Sequence, residues 1–293
     1  MRLRPLCVQC IIDSRFREIR GTSAEDDAKI RASIELLRVG FEEFKRGGEL
    51  TVLATRIYHR LIDFFPAIIE YYKRVKRESI EEAFKYLPVI EEYLEKMSGF
   101  EKFVAATKIS IVGNYLDTGV MELNPPSVKE ILNYINKPLS IDHTGKFYDL
   151  VSSGGKRIIW LFDNAGEAVL DIPLIKILRN MGNKVIGIAK EDPGFQNDLT
   201  ISDALEAGLD KYVDELISTG YPGSSIHWDK ISKKAKTKIR EADLIVAKGM
   251  AHWEYIIEID LGKPIYHLLV PKCSVIAETI GVPRGTLVAL MRT

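Results

Sequence analysis

The chain of 293 residues reads as an α/β protein, a doubly wound, mostly parallel Rossmann-like sheet with an N-terminal helical domain. Two observations predict this. Between Asp26 and Val112 apolar residues recur three and four apart with charged residues between them, the period of a helix with one buried face. After Ile141 the pattern changes to short β-branched runs separated by helix-length segments, as in parallel strands covered on both faces. The change of period sets the expected division, a helical domain over residues 1–140 and an α/β domain over 141–293. A chain of this length also exceeds the usual single core.

In the first half, Ile30, Ile34, Leu37, Phe41 and Phe44 mark the apolar face of a helix that Gly47-Gly48 ends, and Pro66 and Pro88 are expected to end later ones. Phe64, Phe65, Tyr71, Tyr72, Phe84, Tyr86 and Tyr93 lie at helical spacing, which favours core packing over an aromatic ligand box. The segment from Asn124-Pro125-Pro126 to Gly145 is the expected junction. The expected strands are Arg157–Phe162, Lys184–Ala189, Glu215–Ser218, Asp243–Ala247, Ile265–Leu269 and Leu287–Met291. Ligands of such sheets bind outside the carboxyl ends of the strands, so chemistry is sought in the loops that follow them.

Charge narrows the partners. With 41 basic and 41 acidic residues no global field draws the chain to nucleic acid or an anionic membrane, so small molecules are the expected partners. No apolar run approaches the roughly 20 residues that cross a bilayer, and Asp13, Arg15 and Arg17 interrupt anything resembling a signal peptide. Three cysteines suit a reducing compartment, and the cytoplasm is the expected location. Glutamine occurs only at Gln9 and Gln196 while Lys, Glu, Arg and Ile abound, a bias of proteins that work hot, so a thermophilic source is expected.

The first expected strand runs into Asp163-Asn164-Ala165-Gly166-Glu167. A carboxylate beside an amide carbonyl supplies two hard oxygen ligands for Mg²⁺ or Mn²⁺, and Gly166 would let a ligand approach the backbone. Asp and Asn also cap helices, so the pair alone leaves both roles open. The second strand is followed by Gln196-Asn197-Asp198-Leu199-Thr200, whose Asp198 would complete a site begun on the neighbouring strand. Ser202 and Asp203 look like a helix cap and are kept out of the site. After the fourth strand, Lys248-Gly249 offers a point charge and free backbone N–H groups to a phosphate, a solvated surface lysine being the plain alternative. His252 is read as structural. Gly154-Gly155-Lys156 precedes a strand and lacks the remaining residues of a phosphate loop, so it reads as a turn. Cys7-Val8-Gln9-Cys10 is one C-x-x-C with only Cys273 besides, too few ligands for structural zinc.

Together Phe162-Asp163-Asn164-Ala165-Gly166-Glu167, Asn197-Asp198-Leu199-Thr200, Lys248-Gly249, Gly113-Asn114-Tyr115-Leu116-Asp117 and Val270-Pro271-Lys272-Cys273 resemble, in content and order, the signature of the damage-control phosphatase family, long called domain of unknown function 89. The resemblance spans nearly the whole chain. It implies a divalent metal ion (Mg, Mn, Ni or Co) on Asp163, Asn164 and Asp198, and hydrolysis of phosphate esters of small metabolites such as sugar phosphates, nucleotides or damaged phosphometabolites. It also implies an active-site role for Lys248 and a cleft-facing motif carrying Asn114 and Asp117. The family more often has Asn at the position of His252, so no role is carried onto that residue.

On this reading Asp163, Glu167 and Lys248 are the catalytic candidates, and Asn114, Asp117, Lys248 and Gly249 contact substrate. The cation and Lys248 neutralise a phosphate dianion while Glu167 orients water, or Asp163 attacks phosphorus directly. The rival enzyme is a methyltransferase using S-adenosylmethionine, whose glycine-rich loop after the first strand is replaced here by Asp163-Asn164. A non-catalytic metabolite or metal binder is the third reading.

Overall fold

The computed structural model describes residues 1–116 and 127–293. Its elements run α1 (Pro5–Gly21), α2 (Asp26–Arg46), α3 (Leu50–Phe64), α4 (Ala67–Glu95), α5 (Gly99–Val112), α6 (Val128–Ile135), β1 (Leu139–Asp142), α7 (Thr144–Val151), β2 (Arg157–Leu161), α8 (Ala165–Asn180), β3 (Lys184–Ala189), α9 (Ile201–Glu206), β4 (Glu215–Ser218), α10 (Lys233–Glu241), β5 (Leu244–Lys248), α11 (Gly249–Ile256), β6 (Ile265–Leu269), α12 (Ser274–Ile280) and β7 (Leu287–Arg292). Among the described residues no helix is long and apolar enough to cross a membrane.

The strands form one sheet in the order β1-β7-β6-β5-β2-β3-β4, parallel throughout except for the β6–β7 pair. All six expected strands are present. A seventh, β1, was not expected, because its four residues alternate between half-buried and exposed and carry no apolar run. From β2 the chain steps outward through β3 to β4, then crosses back to β5 on the other side of β2. The order reverses between β2 and β5, so a crevice opens at their carboxyl ends.

The period of two in each strand divides its side chains between two cores. Ile158 and Trp160 of β2, with Leu244 and Val246 of β5, join a cluster that contains α4, α5 and α8. Ile159, Leu161, Ile245 and Ala247 face the opposite cluster with Ile239 of α10 and Ile256 of α11. A third cluster links α1, α2, α3 and the start of α4 to Phe195, Trp253 and Ile276. The amino-terminal helices thus pack directly on the layer that carries the strand-end loops.

Three local expectations are corrected. Four of the five residues named on α2 point outward: Ile30, Ile34, Leu37 and Phe41 are 56%, 63%, 55% and 70% exposed, Phe44 is half-buried against the core, and the helix docks through Ala32, Leu36 and Val39. Both faces carry helical spacing, so periodicity by itself could not choose between them. Pro88 lies inside α4, where burial of Tyr86, Leu87 and Ile90 around it outweighs the lost backbone hydrogen bond. Gly166 is small because Ser79 of α4 packs against its Cα, so it serves helix–helix contact and not approach of a ligand.

Of the aromatic face, Phe65, Tyr72 and Tyr86 are buried as expected, whereas Phe64 is exposed. Gly154 and Gly155 adopt positive φ in the turn before β2. The first part of the expected junction, Asn124-Pro125-Pro126, lies outside the described residues, and the remainder forms α6 and β1.

Candidate active site

Backbone hydrogen bonds zip together the loops after β2 and β3. Leu199 N–H donates to Asp163 O at 2.8 Å and Ala165 N–H to Asn197 O at 3.0 Å, making an isolated bridge between Asn164 and Asp198. Asp163, Asn164 and Asp198 are therefore neighbours through the main chain, and all three line one cavity of about 180 Å³ together with Asn114. Asn164 occupies the N-cap of α8 without using its side chain as a cap. Its Nδ2 instead donates to Asp163 Oδ2 at 3.1 Å and to Glu167 Oε2 at 3.1 Å. Asn114 follows α5 and donates through Nδ2 to the same two carboxylates, at 3.3 Å to Asp163 and 2.7 Å to Glu167. The capping role falls to Thr200, whose box with Asp203 starts α9, so Asp203 stays outside the site as expected.

Lys248 ends β5 beside β2, but its ammonium turns into the protein. Fully buried, Nζ lies 2.6 Å from Ser110 O, 2.8 Å from Ser110 Oγ, 2.8 Å from Asp171 Oδ1 and 2.9 Å from Glu167 Oε1. Burial would lower the ammonium's pKa, yet Asp171 and Glu167 more than offset it and hold the pKa above the ordinary lysine value. Burial, the largest influence on Asp171, pushes that carboxyl up to about 6 against the pull of Lys248. Neither Lys248 nor Glu167 lines the cavity.

Gly249 adopts φ of 73°, and a Cβ there would overlap the Asp163 carboxylate. The glycine expected at the substrate is thus the seat of Asp163. Gly249→Ala is expected to lower by at least tenfold the phosphate release that the sequence resemblance implies, since a displacement of about 1 Å at a catalytic candidate costs on the order of 10²-fold. Comparing kcat and unfolding midpoint of the variant with wild type checks this; unchanged kcat would remove Gly249 from the site.

Lys190, which was not expected, follows β3 directly and lies next to Asp198. Its Nζ lies 3.6 Å from Asp198 Oδ2 and 3.1 Å from His252 Nε2, while His252 Nδ1 faces Ser225 Oγ at 3.0 Å. Burial, reinforced by the Lys190 charge, drives the His252 pKa well below its ordinary value. An ammonium can only donate, so toward Lys190 the neutral ring accepts at Nε2, which also lies 3.2 Å from Phe162 O, and Nδ1 is the nitrogen that donates. His252 is therefore part of a buried network, in line with its structural reading. The strand-end placement that singled out Lys248 applies equally to Lys190. Asp171 had a weaker signal, a lone acid in an apolar helical stretch.

Asp117 lies outside the described residues. Cys7, Cys10 and Cys273 are free thiols that also line the cavity. Among the described residues no group of three His, Cys, Asp or Glu side chains is gathered as a metal site.

Residues 3–288 match the damage-control phosphatase ARMT1-like domain. The chain is similar to a damage-control phosphatase of Archaeoglobus fulgidus, 32% identical over 292 residues that cover 99% of each. A damage-control phosphatase of Pyrococcus horikoshii is 27% identical over 293 residues, covering 99% of this chain and 98% of the relative. The crystal structure of a DUF89 family protein from the same organism superposes with a TM-score of 0.86 at 27% identity, covering 100% of both chains. These names support a phosphatase role in general. The matched span, the shared fold and the order of the strand-end motifs agree, and the chain belongs to the damage-control phosphatase ARMT1-like domain family.

Proposed function

We propose that this protein is a metal-dependent phosphatase for phosphate monoesters of small metabolites, with Asp163, Asn164 and Asp198 as the cation's oxygen donors. The observation that carries the reading is the gathering of Asp163, Asp198, Asn114 and Asn164 on one cavity at the point where the sheet order reverses. The amides of Asn114 and Asn164 turn their nitrogens to Asp163 and Glu167, which leaves their oxygens for a cation. Asn114 Oδ1 is buried and has no hydrogen-bond partner among the described residues, as a group that awaits a ligand would be. An all-oxygen donor set favours Mg²⁺ or Mn²⁺ over Ni or Co. When bound, the cation supplies positive charge against the phosphate dianion.

Three roles follow for the chain's own groups. Glu167 is a positioning residue that holds both amides. Lys248, its hydrogens taken by Ser110, Asp171 and Glu167, anchors the Glu167 carboxylate instead of touching phosphate. The amino end of α11, which Gly249 opens, is the backbone donor to phosphate. Asp117 is kept as a substrate contact on its motif alone. In this proposal the helical part, residues 1–140, walls the cavity and the α/β part, residues 141–293, holds the cation.

Chelation tests the reading. A strong chelator is expected to abolish phosphate release from a panel of sugar phosphates, nucleotides and phosphorylated acids. Mg²⁺ or Mn²⁺ should restore it, with no methyl transfer from S-adenosylmethionine. Release undiminished by the chelator would exclude the metal mechanism.

A further inference from the structure

One wall of the cavity is formed by α1, which contributes Leu6, Cys7, Cys10, Ile11, Ser14 and a single charged residue, Arg15. Arg15 is 2% exposed and lines the same cavity as Asp163, Asn164 and Asp198. Its guanidinium lies over the Tyr58 ring, 4.9 Å from the centroid, and near the Phe195 ring at 5.3 Å. Two aromatic faces fix the plane of the group before any ligand arrives.

Nη2 donates to Glu18 Oε1, and that carboxylate oxygen also accepts from Tyr72 Oη at 2.8 Å and Gln196 Nε2 at 2.7 Å. Gln196 has φ of 53° and is the non-glycine residue held in the left-handed region among those described. It sits two positions before Asp198, so the strained turn ties the Arg15 platform to the loop that carries a proposed cation ligand.

The pairing is incomplete. Among the described residues Arg15 Nε is buried with no hydrogen-bond partner, as is Glu18 Oε2, and Nη1 makes no hydrogen bond. An arginine retained only for packing would be expected to satisfy its donors, because each unmet buried N–H carries a desolvation cost of about 1–3 kcal/mol. Glu18 already balances the charge, which leaves the group as a set of oriented donors and not as a bare field. Such a set recognises oxygen acceptors by geometry.

We propose that Arg15 is a specificity-determining residue: it donates hydrogen bonds to hydroxyl or carboxylate oxygens at the end of the substrate remote from the phosphate. The substrate class is then a phosphate ester whose carbon skeleton carries further oxygens, bound with its phosphate toward Asp163 and its far end toward α1. This inference rests on the phosphatase reading above. The cavity's volume of about 180 Å³, with the apolar Ile11, Leu50, Ala54 and Met250 also in its lining, limits that skeleton to a short one.

The test compares kcat/KM of metal-loaded wild type, Arg15→Met and the double variant Arg15→Met with Glu18→Gln, on phenyl phosphate, glycerol 3-phosphate and 3-phosphoglycerate. The double variant removes both charges and keeps the protein folded where the single change leaves Glu18 buried alone. Both are expected to lose at least about tenfold on the two oxygen-bearing esters, mainly through KM, and less than threefold on phenyl phosphate. A greater loss on 3-phosphoglycerate identifies the acceptor as carboxylate; an equal or greater loss on glycerol 3-phosphate identifies hydroxyls. Equal losses on all three esters in the folded double variant overturn the assignment of Arg15 and leave the phosphatase reading standing. A wild type that releases phosphate from none of these esters, nor from a wider panel, ends the phosphatase reading, and the role of Arg15 falls with it.

Discussion

Asp163→Ala is expected to abolish phosphate release, a loss of at least about 10³-fold in kcat/KM, or roughly 4 kcal/mol of transition-state stabilisation. The side chain is buried where the sheet order reverses, its Oδ2 accepts from both Asn114 and Asn164, and Gly249 is shaped around it. Truncation removes a proposed cation ligand and one of the two carboxylates that orient each amide, leaving Glu167 to hold both alone. The loss should fall equally on aryl phosphates and on metabolite phosphates, because it strikes the phosphate end. Calorimetric titration with Mn²⁺ should show affinity reduced by at least tenfold in the same variant. Retained turnover with intact folding would remove Asp163 from the mechanism. Asn114→Ala is expected to behave alike but more mildly. The sequence had put Asn114 on the side that selects among substrates; its contact with Asp163 makes an equal loss on all esters the outcome now expected.

Lys248→Met is expected to lower stability by about 3–5 kcal/mol, the usual cost of leaving buried charge without its partner. Glu167 and Asp171 are both inaccessible to solvent, and their shared counter-charge is the single ammonium of Lys248. Asp171 keeps Ser110 Oγ at 2.6 Å and Trp160 Nε1 at 2.9 Å, enough to hold its position but not to offset its charge. Urea unfolding measures the effect as a fall in midpoint at constant slope. Adding Asp171→Asn should recover part of the loss, because the second substitution removes one of the stranded charges. A change below about 1 kcal/mol in the single variant would mean that the ammonium contributes no more than an exposed ion pair does.

Much of the molecule was legible before its structure. The six expected strands appear because a strand buried on both faces must be apolar at every position, and a run such as Ile158-Ile159-Trp160-Leu161 declares that locally. Asp163, Asn164 and Asp198 were placed together from the rule that ligands gather at strand ends, and the parallel pairing of β2 with β3 brings their loops into contact. β1 escaped notice because it is a short edge strand whose partner, β7, comes from the other end of the chain.

What the sequence determined by itself was therefore six of the seven strands, the family and the loops that hold polar groups, since each depends on residues close along the chain. Only the tertiary structure decided what those groups face. Lys248 was expected at the phosphate, yet its hydrogens go to Ser110, 138 positions earlier, and to two acids of α8. The same holds for α2, whose two apolar stripes look alike until α1 and α3 cover one of them. Arg15 has no distinguishing sequence context at all, and its placement in the cavity comes from Tyr58, Phe195 and Glu18 closing around it. The reason is physical. Local periodicity reports how a segment divides apolar from polar, whereas the energy of a buried charge is set by whichever distant groups replace its water.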